Sequence, residues 1–379
     1  MSRPRAALLA AVLLLAGAWL FFSPASEDST RSSTTSSGEG KTTTRSPSLR
    51  PTPEAERALR DSTAEQTIEN DWTDLLAWLD SEPKPSSKEI RERLLALRVS
   101  WTEKDLQVLA NALTRLLESG EDRNLGLAFR VGPHGFLQSW PTLRVFLLDV
   151  LAASDPELAA ATARSVIAKT DSADEFAVSL RSLTRKGLAR ASDEELLTHF
   201  KTLLGRSEWK NSGGFGEAFD LPRLLGTTAA AEALARWEGN PKLRNRALDE
   251  FSADHPAEGI ALVQADTPLE PAARAMLMAR ADPADAAQLA AVDQYLRDPL
   301  RQAGEINAFL ESFPLRSATT GYRLYGKHPA PYTFETITAG DRAALQQVTR
   351  WMEDPALEAH RGELASLKER LEEWVNQAR

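Results

Sequence analysis

The chain has 379 residues, of which 42% are hydrophobic and 26% are charged, proportions that are ordinary for a folded protein. The formal net charge of −9 argues against a general nucleic-acid binder, which would carry a basic surface. The absence of cysteine excludes disulfides, thiolate metal sites and cysteine nucleophiles. Because the length exceeds what one compact core usually holds, we expect several domains or an elongated array.

The first 22 residues predict a signal anchor in the membrane. Arg3 and Arg5 precede an unbroken apolar run over residues 6–22. As a helix, this run would span about 26 Å, close to the roughly 30 Å hydrocarbon core of a bilayer. Because basic flanks stay in the cytoplasm, we expect a single-pass inner-membrane protein with its N-terminus inside and the bulk of the chain in the periplasm. The alternative is an exported chain whose signal peptide is cleaved near Ala25.

Residues 23–52 are mostly Ser and Thr and are nearly free of large apolar residues. Such a segment cannot bury enough surface to offset the entropy lost on ordering. The sequence therefore predicts a disordered linker that holds the folded part away from the membrane. The absence of both cysteine and Asn-x-Ser/Thr sequons favours a bacterial cell envelope.

Residues 53–313 follow a helical pattern, which is clearest between residues 240 and 299. Proline follows a potential helix-capping position at five steps: Asn240-Pro241, His255-Pro256, Thr267-Pro268, Asp282-Pro283 and Asp298-Pro299. A capping side chain followed by Pro at the first helical position is typical of a helix start. The steps are 15, 12, 15 and 16 residues apart, by subtraction of the proline numbers. Each unit therefore predicts one short helix and a turn.

Apolar spacing and capping pairs extend this pattern along the domain. A Ser or Thr is followed three residues later by Glu at five places, Ser86, Ser154, Ser172, Ser192 and Thr267, as in a capping box. Apolar residues recur at helical intervals, and one of them, Leu180, is expected in the core. The one short stretch with a strand-like pattern is Tyr332–Ile337.

The series of short amphipathic helices over residues 53–313 resembles HEAT-like and TPR-like α-helical repeat proteins in general. The resemblance implies an all-α array of short antiparallel helical hairpins, that is, an α-solenoid or an irregular helical repeat. The spacing of 27–31 residues per helix pair is shorter than the repeats of either class. An irregular helical bundle is the alternative.

Two glycine-containing breaks interrupt the helical pattern, at residues 131–136 and 211–216. Glycine-rich loops can bind phosphate at a helix start, but residues 211–216 lack the Lys-Ser/Thr ending of a P-loop and follow no predicted strand. We expect a mobile loop there.

Residues 314–339 form a long predicted loop that holds three of the four tyrosines. Long irregular segments within compact arrays are uncommon and often functional, and aromatic side chains beside Arg are typical of binding hot spots. The candidate partner-binding residues are Arg316, Tyr322, Arg323, Tyr325, Lys327 and His328. The alternative is that the rings only hold the loop against the last helices.

The sequence predicts neither a cofactor nor a metal site, because the five histidines are scattered without the spacing of metal ligands. The segment Glu311-Ser312-Phe313 is slightly similar to the E-S-x-F motif of periplasmic lytic transglycosylases, a resemblance that would imply a catalytic role for Glu311. The motif lacks one residue and the segment that follows it. The expected function is a scaffold that binds a protein or peptide, and the alternative is a cell-envelope hydrolase.

Residues 340–379 predict a C-terminal helical hairpin. Five apolar residues in its second helix have an a/d-like spacing: Leu357, Leu364, Leu367, Leu371 and Trp374. We expect this hairpin to cap the array, and a coiled-coil dimer is the alternative.

Overall fold

The computed structural model describes residues 52–185, 187, 190–265, 267–316, 323–327 and 334–377, which belong to one compact unit. The predicted membrane anchor at residues 6–22 and almost all of the predicted linker lie outside these residues. Within the described residues, no helix is both long and apolar enough to cross a membrane.

The described residues are mainly helical, so the predicted all-α class is confirmed. The first helices are α1 (Pro53–Leu79), α2 (Ser87–Thr102), α3 (Leu106–Glu118), α4 (Leu143–Ser154), α5 (Pro156–Ile167), α6 (Ala173–Thr184), α7 (Asp193–Gly205), α8 (Gly213–Ala218) and α9 (Leu221–Leu225). They are followed by α10 (Thr228–Ala235), α11 (Pro241–Asp254), α12 (Pro256–Gln264), α13 (Pro271–Ala279), α14 (Ala286–Arg297), α15 (Ala303–Ser312), α16 (Phe334–Glu353) and α17 (Arg361–Gln377). Short 3-10 helices cover Pro133–Gly135, Ser207–Trp209, Arg323–Tyr325 and Pro355–His360.

Most helices stack in two rows, as expected for a helical repeat. The first row runs through α4, α6 and α8, and continues through α9, α11, α13, α15 and α17. The second row includes α7, α10, α12 and α14. Many helices therefore contact a neighbour in sequence and, in the same row, the helix one pair further along.

Arginine–carboxylate pairs join successive helix pairs at a constant spacing of 31 residues. The five pairs are Arg144–Glu175, Arg164–Glu195, Arg223–Asp254, Asp249–Arg280 and Arg274–Glu305. In three of them the Glu is in the first turn of its helix, where a carboxylate is also favoured by the helix dipole. The constant spacing indicates a repeat of 31 residues at these positions.

Two of the five predicted helix starts between residues 240 and 299 are confirmed, at Pro241 and Pro256. The other three predictions are wrong by three or four residues, because α13, α14 and α15 begin at Pro271, Ala286 and Ala303. At Asp282 and Asp298 the carboxylate accepts the N–H of the second following residue, Ala284 and Leu300 respectively. These side chains stabilise a turn before each helix instead of capping it.

The glycine-rich segment at 211–216 is also corrected by the structure. Residues from Gly213 onward form α8, whose N-cap Ser212 accepts the N–H of Phe215. A Cβ atom at Gly213 would lie 2.7 Å from the Cβ of Phe129, and one at Gly214 would lie 2.6 Å from a carboxylate oxygen of Asp174. The glycines therefore permit close helix packing rather than loop mobility.

Three further expectations are wrong: the strand, over its described residues, and the capping boxes at Ser154 and Thr267. Thr267 caps no helix, because the N-cap of α13 is Glu270, whose side chain makes no capping hydrogen bond. Phe334–Ile337 belongs to α16 and not to a strand, whereas β1 (Arg130–Val131) and β2 (Leu137–Ser139) form an unpredicted antiparallel pair around the first glycine break. Ser154 does not begin a capping box, because Asp155 accepts the N–H of Leu158 and caps α5.

The predicted core position is confirmed, since Leu180 is fully buried. Four of the five residues of the C-terminal seam are buried as well, since Leu357, Leu364, Leu367 and Leu371 all have at most 2% exposure, and Trp374 is partly buried. Helix α17 contacts both α15 and α16. Packing within the chain therefore covers the apolar face that a coiled-coil dimer would need.

Candidate functional site

The five described residues Arg323–Lys327, called here the return segment, contact a much earlier part of the chain. The 3-10 helix Arg323–Tyr325 packs on the turn Pro133–Gly135 and on α6 and α8. Leu324 is fully buried. A Cβ atom at Gly135, whose φ is +81°, would lie 2.4 Å from the Leu324 carbonyl oxygen, so this close contact requires glycine. The return segment is thus fixed against elements that lie between about 105 and 190 residues before it.

Tyr325, a predicted partner-binding residue, anchors this contact. Its hydroxyl donates a hydrogen bond to the Ala218 carbonyl oxygen at 3.3 Å. Burial raises the pKa of the hydroxyl well above its usual value, and the nearby carboxylates of Asp220 and Glu217 raise it further. The ring therefore holds the return segment on α8.

The other predicted residues differ in their accessibility. Arg316 forms an ion pair with Asp341 and donates a hydrogen bond to the Ile337 carbonyl oxygen at 2.9 Å, which ties it to α16. Arg323 and Lys327 are exposed. Tyr322 and His328 lie outside the described residues. Arg323 and Lys327 are thus the two candidates that the structure presents to solvent.

Arg323 forms part of the wall of a pocket in the first row of helices. This Arg323 pocket has a volume of about 380 Å³ and is lined by Ser212, Gly213, Gly216, Glu217, Phe219, Asp220, Leu243, Arg246, Ala247, Glu250 and Arg323. Helices α8 and α11 supply most of the lining. Two other grooves lie elsewhere, one between α3 and α5 and one between α7 and α10, and neither includes a predicted site residue.

A buried arginine, Arg223, binds two of the carboxylates that line the Arg323 pocket, Asp220 and Glu250. The side chain of Arg223 is only 1% exposed and binds Asp254 at 2.7 Å, Glu250 at 3.1 Å and Asp220 at 3.3 Å. Arg223 belongs to the short helix α9, and its bond to Asp254, 31 residues later, joins α9 to α11. One guanidinium therefore compensates carboxylates from α11 and from the start of α9.

Two of the lining carboxyl groups have perturbed acidity. Burial raises the pKa of Asp220 to about 7, while Arg223 acts in the opposite direction. Burial also raises the pKa of Glu217, and Arg323 and Arg246 partly offset this effect. The pocket consequently contains two partly desolvated carboxyl groups, Asp220 and Glu217, beside the guanidinium groups of Arg246 and Arg323.

The arrangement suits the binding of a ligand that has both charged and apolar groups. Phe219, Leu243 and Ala247 supply apolar surface beside the charged side chains. Among the described residues, no group of three or more His, Asp or Glu side chains is placed to hold a metal ion. Sequence reasoning missed Glu217, Asp220 and Glu250. The available signal was the position of Glu217 and Asp220 directly after the glycine-rich segment, and Glu250 in α11 carried no such signal.

Comparisons of the chain with protein-family models, with curated proteins and with solved structures give no match. Its function therefore has to be inferred from its own residues.

Proposed function

We propose that this chain is a membrane-tethered, extracytoplasmic helical-repeat protein that binds a protein or peptide partner at the Arg323 pocket. The observation that carries the proposal is the position of Arg323, which lies in the predicted binding segment and lines a mixed-charge pocket between α8 and α11. Helical repeats present extended surfaces of this kind to other chains.

The chemistry of the pocket supports a peptide rather than a small apolar ligand. Its apolar residues occupy only part of the lining, and the charged groups of both signs can pair with the side chains or the backbone of a peptide. Arg323 is a suitable hot-spot residue because its planar guanidinium offers several hydrogen-bond donors. Lys327, which is also exposed, would extend the contact along the return segment.

The binding proposal is tested by site-specific photo-crosslinking in native membranes. A photoreactive amino acid replaces Leu243 in the pocket or, as the control, Lys104 near the start of α3. We expect a discrete adduct from position 243 that is absent at position 104 and is lost when Arg323→Ala is added. Lys242→Ala, an exposed change on α11 outside the pocket, should leave the adduct intact. An adduct that survives Arg323→Ala, or no adduct at position 243, would contradict the proposal.

The membrane topology rests on the apolar run at residues 6–22 and needs a separate test. Protease added to intact spheroplasts should digest the folded part of the full-length chain, which should otherwise stay in the membrane fraction. Protection of the folded part would place it in the cytoplasm. A mature N-terminus at Ser26 would instead support cleavage near Ala25.

A cell-envelope hydrolase is the second candidate function. Glu311 is exposed in the last turn of α15 and lines none of the pockets described above. Asp220 is the better candidate for acid–base chemistry, because its pKa of about 7 is suited to proton transfer near neutral pH. A cell-wall hydrolysis assay in which Asp220→Asn abolishes activity and Glu311→Gln does not would favour this alternative.

A further inference from the structure

A cluster of three arginines surrounds Phe136, away from the Arg323 pocket. The guanidinium carbons of Arg98, Arg181 and Arg185 lie 5.2, 5.3 and 4.1 Å from the centre of the Phe136 ring. Arg98 comes from α2, Arg181 from α6, and Arg185 follows the last turn of α6. Asp149 of α4 is the carboxylate that pairs with this cluster.

Asp149 has no capacity left for further donors. Its Oδ1 accepts from Arg181 Nη1 at 2.6 Å, its Oδ2 accepts from Arg98 Nη1 at 3.4 Å and from Trp140 Nε1 at 3.0 Å, and both oxygens accept from the Leu137 N–H. A carboxylate offers about four lone-pair positions. The lone-pair positions of Asp149 are therefore all occupied. Its single negative charge does not balance the positive charges of the three guanidinium groups.

Within the part of the chain that the structure describes, several donors in the cluster have no hydrogen-bond acceptor. Arg181 has a side chain that is only 1% exposed, yet its Nε and Nη2 are buried without partners. The Nε of Arg185 is in the same state, although its Nη2 donates to the His134 carbonyl oxygen at 3.3 Å. The Phe136 ring attracts the positive charge and the negative end of the α6 dipole offsets part of it, but neither supplies an oxygen acceptor for these N–H groups.

Such a combination of excess positive charge and unpaired buried donors is unusual in a folded protein, where buried polar groups are nearly always paired. Burial, together with the neighbouring charge of Arg181, lowers the pKa of Arg185 to about 10. One side of the cluster is open to solvent. Phe136 and Arg185 are partly exposed, and the Arg98 side chain is 21% exposed. A small ligand could therefore enter after a change in the Arg185 rotamer.

We propose that the Arg98–Arg181–Arg185 cluster is a binding site for an oxyanion, a carboxylate or a phosphate group, held by the free N–H edges of Arg181 and Arg185. Both ligand types present oxygens that match a guanidinium edge in a bidentate geometry. Because the site lies on the turn Pro133–Gly135, to which the return segment is fixed, a bound oxyanion stabilises the contact between these two parts of the chain.

The test uses the full-length protein in a non-ionic detergent and compares the effects of inorganic phosphate, acetate and sodium chloride on the melting temperature at equal ionic strength. Sodium chloride controls for screening. The variant Arg185→Met controls for the general stabilisation by excluded salts, which acts on both proteins equally. Arg190→Gln, an exposed change nearby, controls for the loss of one positive charge.

We expect phosphate or acetate to raise the melting temperature of the unmodified protein and of Arg190→Gln in a saturable way. Whichever of the two acts at the lower concentration identifies the ligand as phosphate-like or carboxylate-like. In Arg185→Met the apparent dissociation constant should rise about tenfold or more, because a hydrogen bond to a charged group is lost.

The same variant separates binding from a purely structural role. Without added oxyanion, Arg185→Met should melt at the same or a higher temperature, since it relieves the repulsion from Arg181. A lower melting temperature together with an unchanged response to phosphate and acetate would assign Arg185 to structure alone and overturn the proposal. The absence of any saturable response in the unmodified protein would overturn it as well, and calorimetric titration with phosphate would check that result independently of folding.

Discussion

The pair Arg274–Glu305 allows a quantitative test of how the helix pairs are held together. Arg274 Nε and Nη2 donate to the two oxygens of Glu305 at 2.9 and 2.5 Å. The Glu305 side chain has no exposed surface, and it also accepts from the Tyr295 hydroxyl at 3.0 Å. One carboxylate in the first turn of α15 thus joins α13, α14 and α15.

We expect Arg274→Met to destabilise these helices by about 3–5 kcal/mol, because it leaves a buried carboxylate with incomplete compensation. Arg301 lies 3.5 Å from the same carboxylate and will retain part of the compensation, so the lower end of the range is expected. The double change Arg274→Met with Glu305→Met should cost only about 1–2 kcal/mol, mainly for the unpaired Tyr295 hydroxyl.

Hydrogen exchange measured by mass spectrometry on peptides from α13 and α15 is the suitable assay. Repeat arrays often depart from two-state unfolding, so a local opening free energy is better defined than a global one. Lys368→Met, which removes an exposed pair with Glu372, is the control and should change the opening free energy by less than about 0.5 kcal/mol. If Arg274→Met costs no more than this control, or if the double variant is as unstable as the single one, the pair does not hold the repeats together.

Three further predictions follow from burial, packing and acidity. Leu180→Ala should lower the unfolding free energy by about 2–5 kcal/mol, whereas Leu106→Ala, at a position 52% exposed, should change it by less than about 0.5 kcal/mol in denaturant titrations. Gly214→Ala should cost about 1–3 kcal/mol because its Cβ would overlap a carboxylate on α6, whereas Gly216→Ala, which meets no atom within 4 Å, should not destabilise. The pKa of Asp220 is raised to about 7 in the folded state, so the folded state holds this proton more tightly. Stability should therefore fall by about 3 kcal/mol, relative to Asp220→Asn, as the pH rises from about 4 to about 7, and a difference that stays constant with pH would contradict the assignment.

The sequence predicts a helix start where the capping side chain bonds to the nearby backbone N–H groups and not to a residue elsewhere in the fold. Asn240 accepts two N–H groups of the first turn of α11, as its position before Pro241 predicts. At Ser172 and Ser192 the hydroxyl caps the helix as expected, but the Glu of the predicted capping box instead binds an arginine 31 residues earlier. The residue types were visible in the sequence, whereas the choice between a local and a distant partner depends on how the helices stack.

The candidate site likewise has one part that the sequence indicates and another part that depends on how the helices stack. The composition of residues 314–339 indicated the segment that contains Arg323, and the structure places this residue at a pocket. Sequence reasoning could not identify Glu217, Asp220 and Glu250 together as lining groups, because Glu250 in α11 lies thirty residues or more after the other two and only the packing of the helices brings them to one pocket. It also could not separate the exposed Arg323 from the partly buried Tyr325, since burial of one side of a short 3-10 helix is determined by the surface on which the helix packs.

The contact of the return segment with α8 changes how the array should respond to unfolding. In an array with contacts between adjacent repeats alone, stability is a sum of nearest-neighbour terms, and repeats can fray one by one from either end. The hydrogen bond between Tyr325 and Ala218 joins residues 107 positions apart, and Leu324 buries its side chain at the same place. The helices from α8 to α15 are thereby enclosed in a loop whose ends are held together, so opening any one of them strains the closure. We expect these helices to exchange their amide protons as one cooperative unit, whereas α1–α3, outside the loop, open independently.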